Sequence, residues 1–153
     1  MEVLIVDDEP ISRLWAAQSL QSAGFSVTVA CNGKEALERL TNENLQLVVC
    51  DWSMPDMNGL ELCRAIRSNT LRRYVYVLML TSHNRPQDTL EGLEAGADDY
   101  VTKPFNPAEL VLRVNTGRRI IRSESSDMTI FTLAKLAESR DSDTGAHLER
   151  VRS

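Results

Sequence analysis

The sequence predicts an α/β fold, a doubly wound five-stranded parallel sheet with a C-terminal helical extension. Two observations lead to this prediction. Five short apolar runs alternate with five helix-like segments, and the fourth run is continuously apolar, as a strand covered on both faces should be. Crossover connections between parallel strands are right-handed and place helices on both faces of the sheet. A length of 153 residues allows one such core.

The five predicted strands are short apolar runs, and turn or helix signals bound each of them. They are residues 3–6, 25–30, 45–50, 74–80 and 100–101. The third run ends at Asp51, which is followed by a turn-like stretch up to Gly59. A buried strand therefore delivers a carboxylate to its C-terminal end.

Proline, asparagine and glycine mark the ends of the predicted helices. The first helix begins at Pro10 and stops at Gly24, the second and third follow turns at residues 32–33 and 58–59, and the fourth starts at Pro86. One face of the first helix is apolar, consisting of Ile11, Leu14, Trp15 and Leu20. This spacing predicts that the first helix packs through that face.

The fifth helix has a complete start signal. Asn106 is placed to cap the helix, Pro107 to occupy its first position, and Glu109 to serve as the capping-box acid. Leu110 and Val114 then mark its buried face.

After about residue 122 the chain changes character. Residues 122–127 are polar and predict a linker or a frayed helix, and a helical pattern resumes at residues 130–137. We therefore expect a domain over residues 1–122. Residues 123–153 are expected to be a linker helix followed by the front end of a second, truncated domain.

Composition excludes several classes of protein. The net charge of −5 argues against general binding to nucleic acid or to a membrane surface. The cysteines, Cys31, Cys50 and Cys63, are odd in number and form no C-x-x-C pair, so neither a disulfide framework nor a zinc site is predicted. No signal peptide precedes the first strand, and no apolar run is long enough to span a bilayer. A cytoplasmic protein is the expectation.

Side chains that could bind a metal ion or take part in catalysis follow four of the five predicted strands. They are Asp7 and Asp8, Asp51, Thr81 and Ser82, and Lys103. Because parallel strands end at the same edge of a sheet, these groups should converge. Clustered carboxylates repel one another, and a divalent cation such as Mg²⁺ relieves the repulsion with oxygen ligands. With Lys103 adding positive charge, Asp51 becomes a candidate nucleophile for a phosphoryl group.

Each of these residues taken alone has an ordinary structural interpretation. Asp7, Asp8 or Asp51 could cap a helix or turn, Thr81 could be a turn hydroxyl, and Lys103 could be a solvated charge. Only their joint placement at strand ends favours a functional site.

Four motifs, in this order along the chain, resemble the receiver domain of bacterial two-component response regulators. They are VDDEP at residues 6–10, DWSMPDMNG at 51–59, LTS at 80–82 and GADDYVTKPF at 96–105. The resemblance covers roughly residues 1–122. It implies a flavodoxin-like fold with strand order 2-1-3-4-5.

The resemblance also implies roles for individual residues. Asp51 would receive a phosphoryl group from the phosphohistidine of a sensor histidine kinase or a phosphotransfer protein. Mg²⁺ would be held by Asp8, Asp51 and the backbone carbonyl of Ser53, with Asp7 assisting through water. Thr81 and Lys103 would contact the phosphoryl oxygens, and Lys103-Pro104 would be a cis peptide.

The same resemblance makes Tyr100 the switch aromatic, which would move inward as Thr81 moves toward the phosphate. The fourth helix, fifth strand and fifth helix border these two residues, so we expect this face to report the switch and to serve as a homodimer contact. His83 and Ser53 lie beside the site in sequence and could tune the phosphate lifetime. No direct contact with nucleic acid is expected.

Residues 136–151 resemble the opening of an HD-GYP phosphodiesterase domain, the kind that hydrolyses cyclic di-GMP. In that family an acid four residues before a histidine, here Asp143 and His147, supplies metal ligands. The only histidines are His83 and His147, and no His-Asp dyad occurs. The chain itself is therefore expected to be a phosphoacceptor switch, with the enzyme left to an output domain.

Two other families share part of this pattern. A haloacid-dehalogenase-like phosphatase also uses a nucleophilic aspartate, Mg²⁺ and a lysine, but it needs a second aspartate two residues after the first, where this chain has Ser53. A flavodoxin-like flavin binder needs a hydroxyl- and glycine-rich phosphate loop after the first strand. The acidic residues 7–9 would instead repel a phosphate.

Overall fold

The computed structural model describes residues 1–68, 73–82 and 86–140. Five strands alternate with five helices along the chain. The strands are β1 (Glu2–Val6), β2 (Ser26–Ala30), β3 (Leu47–Asp51), β4 (Tyr76–Thr81) and β5 (Asp99–Thr102). The helices are α1 (Pro10–Ser22), α2 (Gly33–Asn42), α3 (Gly59–Ser68), α4 (Pro86–Ala95) and α5 (Pro107–Arg140). All strand pairs are parallel, in the order β2-β1-β3-β4-β5, so the predicted fold and strand order are confirmed.

The register of the central strands aligns their C-terminal ends. Val6 of β1 pairs with Cys50 of β3, so Asp7 and Asp51 lie side by side at the next position. On the other side of β3, Asp51 pairs with Leu80, which places Thr81 one residue further along β4. The predicted convergence of these residues at one edge of the sheet is therefore confirmed.

The two central strands are the most buried part of the molecule. Every residue of β3 and β4 is buried, as the continuous apolar run predicted for β4. Cys50 is fully buried within the core, where it packs as a small hydrophobic side chain.

The prediction of which face of α1 is buried is wrong. Ile11, Leu14 and Trp15 are 78%, 58% and 51% exposed, and of the predicted face only Leu20 is buried. The helix packs on the sheet through Ala16, Ala17 and Leu20 instead. The small alanine side chains allow a close approach, which leaves three large side chains facing solvent.

The starts of α2, α3 and α5 are capped by asparagines, and for α5 the cap at Asn106 was predicted. The Asn32 side chain accepts a hydrogen bond from the Glu35 amide, and Asn58 does the same for Glu61, at 2.8 and 2.9 Å. Asn106 caps α5 in the same manner by accepting from the Ala108 amide at 2.8 Å. The cap at Asn58 fixes the point at which the loop after Asp51 becomes helix.

The chain divides into two compact units after Arg118, within the span of α5. The domain limits at residues 122 and 123 stay a prediction. His83, Asp143 and His147 lie outside the described residues. No helix in the described part of the chain has both the length and the apolar character needed to cross a membrane.

Candidate functional site

Asp51 is the last residue of β3, at the centre of the sheet edge. Its carboxylate is largely buried, with the residue 7% exposed. The chain turns sharply after it, and the Gly59 amide donates to the Trp52 carbonyl at 2.8 Å. A Cβ on Gly59 would lie 2.6 Å from the Asp51 carbonyl oxygen, so only glycine allows this return of the chain against the strand end.

Lys103 reaches this carboxylate from the end of β5. Its Nζ lies 3.0 Å from Asp51 Oδ1 and 3.4 Å from Asp7 Oδ2. The Lys103 amide donates to the Thr81 carbonyl at 2.8 Å, which ties the start of this loop to the end of β4. The peptide bond between Lys103 and Pro104 is cis, as predicted.

Asp7, Asp8 and Asp51 form the acidic cluster that the sequence predicts. One carboxylate oxygen from each lies within 4.8 Å of the others. Asp7 is 1% exposed and its Oδ1 accepts from the Glu9 amide at 3.0 Å, while Asp8 is exposed. Three carboxylates at this spacing, open to water on the Asp8 side, are the hard oxygen ligands that Mg²⁺ prefers, so the donor set fits this ion.

The negative charge of this carboxylate cluster is only partly neutralised by its surroundings. Burial raises the pKa of the Asp51 carboxyl, the hydrogen bond from Lys103 lowers it, and Asp7 raises it further, with a net shift upward. Burial lowers the pKa of the Lys103 ammonium, but its contacts with Asp51 and Asp7 outweigh this and leave the pKa raised. One lysine therefore neutralises only part of the negative charge.

Two further residues singled out in the sequence lie close to this centre. Thr81, the last residue of β4, is buried. Ser53 is exposed, two residues beyond Asp51. The contacts that the resemblance assigns to these two residues stay a prediction.

Tyr100 is half-buried in β5 and packs against the core beneath the site. Its ring stacks on that of Trp52, with centroids 6.5 Å apart and planes inclined by 28°. The contact of Trp52 with Tyr100 was not predicted from the sequence. The position of Trp52 directly after the candidate nucleophile was the available signal.

An apolar cleft adjoins Lys103 on the α1 side, and its position was also missed. Its volume is about 490 Å³, and its lining includes Trp15, Phe105 and Lys103. The rings of Trp15 and Phe105 are 6.4 Å apart. The exposed side chains of α1 therefore stand beside the charged centre, which the helical periodicity of α1 alone could not reveal.

The receiver-domain family model, described as "Response regulator receiver domain", matches residues 3–115. The chain belongs to this family. As a receiver domain it is a phosphoacceptor switch, and the match gives no support to the phosphatase alternative.

Curated relatives agree with this assignment. The chain is 39% identical to a probable transcriptional regulator ycf27 of Cyanidium caldarium, over 82% of this chain and 49% of that protein. It is 38% identical to the phosphate regulon transcriptional regulatory protein PhoB of Pseudomonas aeruginosa, over 73% of this chain and 49% of that protein. A probable cyclic di-GMP phosphodiesterase of Vibrio cholerae is 34% identical over 97% of this chain and 39% of that protein. The receiver chain thus spans about half or less of the length of these relatives.

Solved structures show the same fold. A putative response regulator from Chloroflexus aurantiacus superposes with a TM-score of 0.72 at 36% identity, covering 76% of this chain and 95% of that one. The chemotaxis protein CheY4 of Vibrio cholerae gives a TM-score of 0.69 at 35% identity, covering 75% and 95%.

Proposed function

We propose that Asp51 accepts a phosphoryl group from the phosphohistidine of a sensor histidine kinase or a phosphotransfer protein. The supporting observation is the geometry at the sheet edge. Lys103 Nζ lies 3.0 Å from Asp51 Oδ1. Oxygens of Asp7, Asp8 and Asp51 lie within 4.8 Å of one another. A nucleophile, a cation and a metal-ligand set thus share one strand end.

In the proposed transfer, an Asp51 carboxylate oxygen forms the new bond to phosphorus as the bond from phosphorus to the donor's imidazole nitrogen breaks. The products are an acyl phosphate on Asp51 and a free imidazole. Lys103 leaves its contact with Asp51 Oδ1 to pair with a phosphoryl oxygen, and the buried Thr81 hydroxyl donates to another. Asp8, Asp51 and the Ser53 carbonyl, with Asp7 assisting through water, would hold Mg²⁺, which would supply further positive charge for the transferring group.

The switch follows from unequal binding in two states. Phosphorylation adds negative charge and acceptor oxygens at one strand end. Thr81 and Lys103 bind that group better in one arrangement of the adjacent loops, so the population shifts by this difference in affinity. Tyr100 carries the change to the face formed by α4, β5 and α5, which we propose as the surface read by the output domain or by a second receiver.

The partner within the same protein is proposed to be a cyclic di-GMP phosphodiesterase of the HD-GYP type. Support comes from the sequence likeness of residues 136–151, with Asp143 and His147 as its first metal ligands. Further support is that the Vibrio cholerae relative, named as a probable cyclic di-GMP phosphodiesterase, aligns over 97% of this chain.

The phosphoacceptor assignment is tested with acetyl phosphate and Mg²⁺, followed by intact-mass measurement. The wild type should gain one phosphoryl group, and Asp51→Asn should gain none. Asp56→Asn is the matched control, because Asp56 is exposed in the same loop at φ 67°, a conformation that asparagine accepts well. It should label like the wild type. Labelling of Asp51→Asn would remove Asp51 from the mechanism.

The output assignment is tested by reading the gene downstream of Ser153. An open frame encoding the remaining HD-GYP residues, with a His-Asp dyad, would support it. A stop codon or a DNA-binding domain would contradict it. The chain as given should not hydrolyse cyclic di-GMP, because it carries no such dyad.

A further inference from the structure

Tyr100 lies in a slot between two walls, which are formed by Trp52 and Gly92. Neither wall belongs to the charged centre of Asp7, Asp8, Asp51 and Lys103. One wall is the Trp52 ring, stacked on the Tyr100 ring at 6.5 Å between centroids. The other is the backbone of α4 at Gly92, which is buried. A Cβ built on Gly92 would lie 2.7 Å from Tyr100 Cζ, and closer still to the hydroxyl oxygen. No side chain larger than hydrogen fits there while Tyr100 stays in the slot.

The position of Gly92 inside a helix makes this absence of a side chain informative. Gly92 lies within α4, three residues before its last residue, Ala95. Its φ is not among the positive values of the chain, so the backbone conformation does not require glycine. Glycine weakens a helix interior compared with alanine. The close approach of Tyr100 is the feature that explains it.

The Trp52 wall directly follows Asp51 in the chain and is fixed by hydrogen bonds to β4 and to the start of α3. The Trp52 amide donates to the Leu80 carbonyl at 2.9 Å, and its carbonyl accepts from the Gly59 amide at 2.8 Å. The Tyr100 ring therefore bridges the residue after the phosphoacceptor and the backbone of α4. A movement at either wall changes the room available to the ring.

We propose that Gly92 is a positioning residue for the switch: its missing side chain opens the slot in which Tyr100 reports the state of Asp51 to α4. This inference rests on the proposed function, which makes Tyr100 the switch residue. With a methyl group at position 92, Tyr100 must leave the slot or α4 must move away. The phosphoacceptor and the α4–β5–α5 face are then uncoupled, although the charged centre is untouched.

The slot is tested first on the unphosphorylated protein by ¹⁹F NMR after labelling with 3-fluorotyrosine. The chain has three tyrosines, Tyr74, Tyr76 and Tyr100, and Tyr→Phe variants assign their lines. In Gly92→Ala, the Tyr100 line should move toward the solvent-exposed position and the other two should stay in place. An unmoved Tyr100 line would overturn the proposal.

Gly117→Ala is the matched control. Gly117 is also a helical glycine, and a Cβ there would lie 2.6 Å from Cδ1 of Tyr76, not near Tyr100. It should move the Tyr76 line only. If Gly117→Ala moved the Tyr100 line as strongly as Gly92→Ala does, the effect at Gly92 would be general loosening, and the proposal would fail.

A rescue experiment separates positioning from simple damage to the helix. Gly92→Ala should lower the urea midpoint of the wild type but raise it in a Tyr100→Leu background, where the better helix former meets no ring. The same sign in both backgrounds would contradict the slot.

The link to signalling is tested by adding acetyl phosphate and Mg²⁺. The wild-type Tyr100 line should shift on phosphorylation, whereas Gly92→Ala should still gain one phosphoryl group with no shift of that line. A wild-type-like shift in Gly92→Ala would overturn the proposal. If the wild type gains no phosphoryl group, the proposed function fails, while the NMR and urea results still decide the slot.

Discussion

Two clusters of cations and carboxylates lie at opposite edges of the same sheet. At the C-terminal edge, Lys103 is shared between Asp51 and Asp7 at 3.0 and 3.4 Å. At the N-terminal edge, Arg67 of α3 pairs with Asp98, just before β5, at 2.7 Å. Both clusters join elements distant in sequence, but their hydrogen bonding differs.

In the Arg67 cluster, each of the three guanidinium nitrogens donates a hydrogen bond. Arg67 also donates to the Gly96 and Val75 carbonyls at 2.9 and 2.6 Å. Asp98 accepts additionally from the Val77 amide at 2.8 Å and from the Tyr74 hydroxyl, whose pKa is raised by burial and by this carboxylate. A planar guanidinium that is held through all three of its nitrogens keeps one geometry. This cluster is a structural clamp.

The Lys103 cluster carries an excess of negative charge instead. One ammonium faces two carboxylates, and Asp8 adds a third within 4.8 Å. The pKa of Asp51 is raised, which means that its charged form is disfavoured where it stands. A cation can therefore enter this cluster favourably, and its charge would offset the repulsion between the carboxylates and an incoming phosphoryl group. In the clamp, by contrast, all three guanidinium nitrogens of Arg67 are already hydrogen-bonded. The contrast distinguishes an ion pair that stabilises the fold from one that suits the proposed phosphoryl transfer.

The largest effect should come from removing the clamp. Arg67→Ala leaves Asp98 without its charged partner and two carbonyls without donors, so the free energy of unfolding should fall by about 3 kcal/mol. Arg64→Ala, at an exposed position of the same helix, should change it by less than about 0.5 kcal/mol. Urea denaturation measures both, and equal effects would remove the clamp as a distinct element.

A smaller and metal-dependent loss is expected for Lys103→Ala. Removing the lysine leaves the carboxylates mutually repelling and should cost about 2 kcal/mol without metal. Millimolar Mg²⁺ should stabilise this variant more than the wild type, because the ion replaces the missing positive charge. Urea midpoints with and without Mg²⁺ test this, with exposed Lys34→Ala as control. Arg67→Ala should gain no such extra stabilisation.

Lys103→Ala should also keep Mg²⁺ binding yet lose the response of Trp52 and Tyr100 to phosphorylation. In the proposed mechanism, Lys103 draws the loop after β5 onto the phosphoryl oxygens. An intact response in this variant would exclude Lys103 from the switch.

The smallest effect has the opposite sign. Asp51→Asn should raise the free energy of unfolding by roughly 1 kcal/mol at neutral pH without metal, because it removes a buried, disfavoured charge. The pKa of Asp51 is raised in the folded state, so the wild type is penalised as pH rises from about 3.8 through the folded pKa. The gain should therefore shrink toward pH 4 and vanish below it. A destabilised Asp51→Asn, against neutral Asp56→Asn, would contradict this sign.

The sequence predicted the sheet well because its signals are local. Apolar runs marked β3 and β4, asparagines marked the starts of α2, α3 and α5, and parallel strands had to bring Asp7, Asp51, Thr81 and Lys103 to one edge. It failed at α1, where helical periodicity favoured Ile11, Leu14 and Trp15 over the alanines that are buried. Periodicity marks apolar residues but not which of them can approach a sheet closely.

Contacts between residues distant in sequence were the other failure. Neither the clamp of Arg67 and Asp98 nor the slot for Tyr100 between Trp52 and Gly92 leaves a pattern at a fixed spacing, since each depends on how α3 or α4 lies on the strands. Asp98 could be read only as part of a motif, and Gly92 only as a poor helix former. Tertiary packing gives both residues their roles.

Reductive trapping tests the nature of the Lys103 cluster most directly. After treatment with acetyl phosphate and Mg²⁺, borohydride reduces an aspartyl phosphate to homoserine, and peptide mass spectrometry locates it. Homoserine should appear at position 51 and be absent in Asp51→Asn. Homoserine at Asp7, Asp8 or Asp56 in the wild type would contradict the assignment of the reactive carboxylate.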